Sequence, residues 1–201
     1  MAIFVANECL WYMQKLTAHI QKFISRDPEE ISFLEQELES REIKRKTFLV
    51  KEGQICQSLF FVEKGCLRAF FISEKGAEQT CQFAIENWWI TDYMSLDNQC
   101  ASQFSIQAVE SSGVVVLSRE KQASLLKKIP KLERYFRLIA QRSFAASQLR
   151  IKYLFSQSGV ERYRHFAASF PEFLQRVPQY MLASYLNISA EFLSKIRAGK
   201  V

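Results

Sequence analysis

The chain has 201 residues, 48% hydrophobic and 24% charged, with a net charge of +6, the balance of a globular protein with room for one large domain or two small ones. No run of about 18 apolar residues occurs, and the opening MAIFVANECLWYMQKL has no basic stretch leading into a clean apolar core, so neither a membrane span nor a secretory leader is expected and a cytoplasmic protein is. The five cysteines, Cys9, Cys56, Cys66, Cys81 and Cys100, are odd in number and widely spaced, and only His19 and His165 could join them; reduced thiols and no metal or other cofactor are expected.

Leu10, Met13, Leu16, Ile20, Phe23 and Ile24 recur every three or four residues and predict an amphipathic helix over about 7–25. Asp27-Pro28 opens a second helix reaching roughly Glu39, with Ile31, Leu34 and Leu38 inward. At Lys44 the period changes. From there to Ser118 short β-rich runs alternate with turn residues, and Gly53, Gly65, Gly76 and Gly113 fall between the runs, which predicts a closed or nearly closed antiparallel β-roll.

Beyond Ser118 the helical period returns. Leu125, Leu126 and Ile129 make one short helix, Pro130 interrupts it, and Leu132, Phe136, Ile139, Ala146, Leu149 and Tyr153 form a stripe over a helix about 36 Å long at roughly 1.5 Å per residue. That is longer than a small roll needs for cover. A homodimer through paired helices accounts for the excess; a helix packed wholly within its own subunit is the alternative.

Ser156-Gln-Ser-Gly159 is a polar break. It suggests a division into a β-roll domain over 1–128, a dimerisation helix over 129–155 and a C-terminal domain over 156–201. Helical pieces over 160–170 and 172–176 precede the stretch QYMLASYLNISAEFLSKIRA, residues 179–198. Its apolar positions Leu182, Leu186, Ile188, Leu193 and Ile196, with Ala183 and Asn187 between the halves, describe two helices across a tight corner, the helix-turn-helix pattern. Ala183 suits the closest approach, Asn187 a left-handed turn, Pro178 a helix start and Ser189 a helix cap. No room is left after Ala198 for a β-hairpin wing, and none is signalled before Pro178.

A recognition helix places its first turns in the major groove, where Glu accepts from cytosine and Lys or Arg donates to guanine or phosphate. Glu191, Ser194 and Lys195 are the candidate base readers; Arg176, Ser189, Arg197 and Lys200 are the candidate phosphate contacts. From Ser147 onward eight Lys/Arg face three acids, so most of the excess charge lies with this segment, as attraction to double-stranded DNA requires. An ordinary helical hairpin with a basic solvated face has the same pattern.

Two helices, a roll with glycines at its corners, a long helix and a C-terminal helix-turn-helix together resemble the Crp/Fnr family of transcription regulators. The resemblance is carried by FLVKEGQICQSLFFVEKGCLRAFF, FAIENWWITDYMSL and RVPQYMLASYLNISAEFLSKIR. It implies an α+β fold: an N-terminal cyclic-nucleotide-binding-like antiparallel β-roll with flanking helices, a long dimerisation helix and a C-terminal helix-turn-helix domain. Members that bind cyclic AMP carry a Gly-Glu pair opening a short helix, then an Arg-Ser or Arg-Thr before a strand. Here Ile90 and Thr91 stand for the first pair and Ser102 or Gln103 for the Arg. Loss of the bidentate phosphate donor costs on the order of 1.5–3 kcal/mol, so cyclic AMP is not the expected effector and its identity is open. An effector pocket, if the roll is open, would be lined by Phe71, Phe83, Trp88 and Trp89 with Thr91, Asp92, Ser102 and Gln103; the same side chains can equally fill the core. The cluster-binding branch has grouped N-terminal cysteines, whereas Cys9 stands alone. In the reader, Glu191 matches the family pattern, Lys195 replaces its Arg and Ala190 replaces another.

The expected function is a dimeric transcription regulator that reads a palindromic operator, with RNA polymerase a further candidate partner and no membrane contact. The alternative is a small-molecule-binding roll whose helical tail contacts a protein. No nucleophile elbow or phosphate-binding loop is present, and no enzyme is expected.

Overall fold

The computed structural model describes residues 15–25 and 27–201. The expected helix over 7–14, with Leu10, Met13 and Cys9, lies outside the described residues. Residues 15–21 are helical (α1) and bury Leu16 and Ile20. Pro28–Glu37 (α2) starts where Asp27 accepts a hydrogen bond from the Glu29 amide, the N-cap arrangement with proline in the first turn. The first strand then begins at Glu39, before the Lys44 expected from sequence. Glu39–Ile43 (β1) is a charged edge strand with no buried residue, and such edges carry charges that resist further pairing, so the apolar alternation is missing.

Seven more strands follow: Phe48–Val50 (β2), Ser58–Lys64 (β3), Leu67–Ile72 (β4), Glu78–Ala84 (β5), Trp89–Ile90 (β6), Ser105–Ala108 (β7) and Ser112–Ser118 (β8). They form two four-stranded sheets, ordered β1-β8-β3-β6 and β2-β7-β4-β5. This is an antiparallel β-roll. Phe60, Val62, Ile90, Val114 and Val116 of the first sheet pack with Leu67, Ala69, Ala84, Ile106 and Ala108 of the second. Alternation sends Leu59, Phe61, Trp89, Val115 and Leu117 to the opposite face of the first sheet, where helices cover them. Gly53, Gly65 and Gly76 take positive φ at corners, whereas Gly113 is inside β8, opposite Glu42 and Lys64. At Gly65 (φ +97) a Cβ would lie 2.2 Å from Ser112 Oγ, so only glycine fits there.

Tyr93–Asn98 (α3), Arg119–Lys128 (α4) and Lys131–Ser156 (α5) complete this half of the chain. The core is pinned by polar groups that meet their partners. Trp89 donates its indole N–H to the Tyr135 hydroxyl at 2.8 Å, and that oxygen lies 2.9 Å from His19 Nδ1. One fully buried phenol thus joins α1, β6 and α5.

Contacts divide the chain into two compact units. One holds the described residues up to Ala69 with Phe83–Ile139, and the other holds Phe70–Gln82 with Ala140–Val201. The tip of the β4–β5 hairpin therefore groups with the C-terminal helices, a membership that the three-part division from sequence does not contain. In that second unit Gly159–Ser169 (α6) opens with a capping box between Ser158 and Glu161. Phe173–Arg176 (α7), Gln179–Tyr185 (α8) and Ala190–Arg197 (α9) follow. Phe166 packs its ring against Phe170, Phe173 and Tyr185.

Glu63 sits at a register shift where β3 meets β8 between Val62 and Lys64, and its side chain is fully buried. Burial raises its carboxyl from an ordinary 4.5 to about 8, against the opposing pull of the Lys15 charge and the Leu16 amide. Because the folded value lies above the unfolded one, the stability tied to protonated Glu63 is complete below pH 4.5 and is lost as pH rises through about 8. Glu63→Gln should flatten that decline: in urea titrations it should gain up to a few kcal/mol over wild type near pH 8 and almost nothing near pH 4. Equal effects at both pH values would contradict the buried-carboxyl assignment.

Candidate nucleic-acid interface

The corner between α8 and α9 is built as the sequence pattern requires. Leu182, Ala183, Leu186, Leu193 and Ile196 are buried, and Asn187 takes the left-handed conformation at φ 53, which Asn tolerates well. The Ser189 hydroxyl accepts from the Phe192 amide at 3.1 Å and caps α9. Pro178 is the residue before α8 rather than its first turn.

A helix that ends inside a packed corner leaves carbonyls in need of donors. Here two arginines supply them. Arg150 of α5 donates to the Tyr185 carbonyl at 3.1 Å and lies over the Tyr185 ring, 4.5 Å from its centroid. Arg162 of α6 donates from Nε to the Leu186 carbonyl at 2.8 Å, and its two terminal nitrogens reach the Asn187 and Gln157 carbonyls. Three consecutive carbonyls of the corner are thereby satisfied. Two of the eight basic residues counted in the charge of this segment are engaged with backbone carbonyls. No sequence signal marks them, because their partners lie 35 and 24 residues away.

The opposite side of α9 is open. Glu191, Ser194, Lys195 and Arg197 are exposed, as are Ser189 and Lys200, and Arg176 is half-buried in the last turn of α7. Glu191, Ser194 and Lys195 stand at i, i+3 and i+4, so they share one helical face. The amide at its own position and the Ser189 hydroxyl hold the Glu191 carboxyl below the usual range, so at neutral pH it is ionised and acceptor-only.

The residues named for an effector pocket are disposed differently. Asp92 caps α3 by accepting from the Ser95 amide at 3.2 Å, and its second oxygen accepts from Ser102 Oγ at 2.7 Å. Ser95 Oγ donates to the Cys100 carbonyl and accepts from the Cys56 amide. Thr91 donates to the Ser58 carbonyl at 2.9 Å. Asp92 is thus bonded to both Ser95 and Ser102, whereas Thr91 is bonded to Ser58. Phe83 is buried, Trp88 is 39% exposed and Gln103 is exposed. Trp89 lies in the cluster between sheet and helices, away from the roll interior. Phe71 belongs to the second compact unit.

Residues 40–128 match the model of the cyclic nucleotide-binding domain. The transcriptional activator protein Anr of Pseudomonas protegens is 22% identical over 167 residues, which cover 78% of this chain and 68% of Anr. Among solved structures, the Thermus thermophilus catabolite activator protein superposes with a TM-score of 0.56 at 20% identity over 90% of this chain and 85% of its own. The regulator CLP of Xanthomonas campestris gives 0.69 at 14% identity over 86% and 91%. The chain therefore matches the cyclic nucleotide-binding domain over residues 40–128 and shares the fold of these solved structures. The match to Anr extends well beyond the matched domain in residue count, so the likeness is not confined to the roll.

The domain match spans the strands and α3, and within it Asp92, Ser95 and Ser102 are engaged in internal hydrogen bonds. The described residues contain no group of three or more His, Cys, Asp or Glu placed to hold a metal ion. None of their helices is long and apolar enough to cross a membrane.

Gly159, at the start of α6, touches the reader. A Cβ there would lie 2.7 Å from Ile188 Cγ2 and 2.9 Å from Phe192 Cε1, closer than packed atoms tolerate. Gly159→Ala should destabilise the C-terminal helices by about 1–3 kcal/mol, read as a lowered thermal midpoint. An unchanged midpoint would mean that α6 and α9 are not packed this tightly.

Proposed function

We propose that this chain is a homodimeric transcription regulator that reads a palindromic operator through α9, in the cytoplasm and without catalytic activity. The observation that carries the reading is the α9 surface. An N-capped helix on a rigid corner presents an ionised carboxylate, a hydroxyl and an ammonium on one face, with Arg197 and Lys200 beside them. Glu191 and Lys195 are suited to read base edges with Ser194 between them; Arg176, Ser189, Arg197 and Lys200 are suited to hold phosphates. Ser189 does so while its oxygen also caps the helix.

Dimerisation is supported by α5. It has 26 residues, about 39 Å at 1.5 Å per residue, and only Leu132 and Tyr135 are buried. From Ala140 to Leu149 every residue is exposed. Phe144 is 64% exposed, Ile151 53% and Phe155 89%, and their spacing of seven and four residues forms an apolar seam on one side of the helix, as a helical pairing requires. Two recognition helices related by a two-fold axis would meet half-sites about 34–36 Å apart.

Cyclic AMP is not the effector on this reading. Its phosphate would need donors around α3, but the Ser95 hydroxyl already donates to the Cys100 carbonyl and the Ser102 hydroxyl to Asp92, the Asp92 carboxyl accepts bonds and offers no donor, and no arginine stands at the Ser102 position to compensate. RNA polymerase is the natural protein partner of a regulator so built.

The experiment is fluorescence anisotropy of the purified protein on a selected operator and on a random duplex at two salt concentrations, with and without cyclic AMP. Binding should be salt-sensitive and indifferent to cyclic AMP. Lys200→Ala should weaken both duplexes alike and reduce the salt slope by about one, whereas Glu191→Ala should cost about 1–3 kcal/mol on the operator alone by relaxing one base position. Equal losses on both duplexes for Glu191→Ala would remove it from base reading. Phe144→Glu should convert the dimer to monomer in light scattering; a dimer that survives would place the subunit contact elsewhere.

A further inference from the structure

Strand β5 is the edge of its sheet, and an edge residue offers an outward N–H and C=O that need partners. Thr80, on β5, finds both in the C-terminal helices. Its amide donates to Ser184 Oγ of α8 at 2.7 Å, and the same hydroxyl donates to the Glu78 carbonyl at 2.9 Å. The Thr80 carbonyl accepts from Arg150 Nη2 at 3.4 Å, and that nitrogen also donates to the Tyr185 carbonyl at 3.1 Å. Arg150 lies over the Tyr185 ring as well. One guanidinium of the long helix is therefore bonded to both the hairpin and the end of the first reader helix. None of these bonds involves the exposed face of α9.

We infer that Arg150 and Ser184 are positioning residues for DNA reading: they clamp the β4–β5 hairpin edge, the long helix and the α8–α9 corner into one piece, and so fix the angle at which α9 is presented to base edges. The inference rests on the DNA-reading function proposed above. It separates two kinds of basic residue in the C-terminal segment. Lys200 and Arg197 act on phosphate directly, whereas Arg150 acts through backbone carbonyls and contributes nothing to counterion release. Specific recognition needs base-edge donors and acceptors in register, so it suffers when the corner tilts; non-specific attraction to the backbone tolerates the tilt.

Arg150→Met keeps the apolar stem and removes every donor, Ser184→Ala removes one hydroxyl, and Arg150→Lys keeps the charge without the planar fork. Anisotropy on the selected operator and on a random duplex at two salt concentrations would be combined with hydrogen exchange of 78–82 and 184–188. Arg150→Met is expected to weaken the operator on the order of tenfold, to leave random DNA within about twofold and to keep the wild-type salt slope. Ser184→Ala should do the same to a smaller degree, and Arg150→Lys should fall between wild type and Arg150→Met. Both segments should exchange faster in Arg150→Met. Equal losses on the two duplexes with the slope reduced by about one would make Arg150 a phosphate contact and overturn the inference, as would unchanged operator binding. If the wild-type protein binds no DNA, the functional reading fails, and exchange alone then decides the clamp: faster exchange in both segments upholds it and unchanged exchange refutes it. Ser184→Ala keeps the test open if Arg150→Met does not fold.

Discussion

The corner at Asn187 constrains the rest of the C-terminal unit. Two helices that meet this closely leave the carbonyls at the end of the first one in need of donors. The chain meets that demand with guanidinium groups from two other helices, Arg150 at Tyr185 and Arg162 at Leu186 and Asn187. Those bonds dictate where α5 and α6 run relative to the reader within this unit. The small residues Ala183 and Gly159 follow from the same closeness, since a Cβ at Gly159 would already collide with Ile188 and Phe192.

The roll obeys a different economy. Its two sheets bury an aliphatic interior, and helices cover the far face of one sheet around Tyr135. The polar stretch from Asp92 to Ser102 caps α3 and fixes the loop at Cys100 and Ser102.

Much of this was legible in the sequence because it depends on local chemistry. The left-handed Asn187, the Ser189 cap and the apolar spacing of α8 and α9 are written within 20 residues, and the structure places them as the pattern requires. The roll was legible from its alternating runs and from three of its four corner glycines. What escaped depends on residues far apart in the chain. β1 is charged because it is an edge, so its pairing with β8 left no apolar signature. Arg150 and Arg162 look like solvated cations until their carbonyl partners are known. Asp92 and Ser102 look like pocket lining until they are seen bonded to each other, and Gly113 looks like a corner although it is inside a strand. Phe144, Ile151 and Phe155 lie off the stripe that the sequence suggested for α5, and their exposure among the described residues appears only in the structure.

The account turns on whether paired copies of α9 read DNA. The most direct measurement is selection of bound sequences from a randomised duplex pool by the wild-type protein, followed by the salt dependence of binding to the winner. A palindrome with half-sites about one helical turn apart, near 34–36 Å, bound steeply less well as salt rises and without added nucleotide, is the predicted result. An unenriched pool, or binding indifferent to salt, would contradict it and turn the exposed α9 face toward a protein partner.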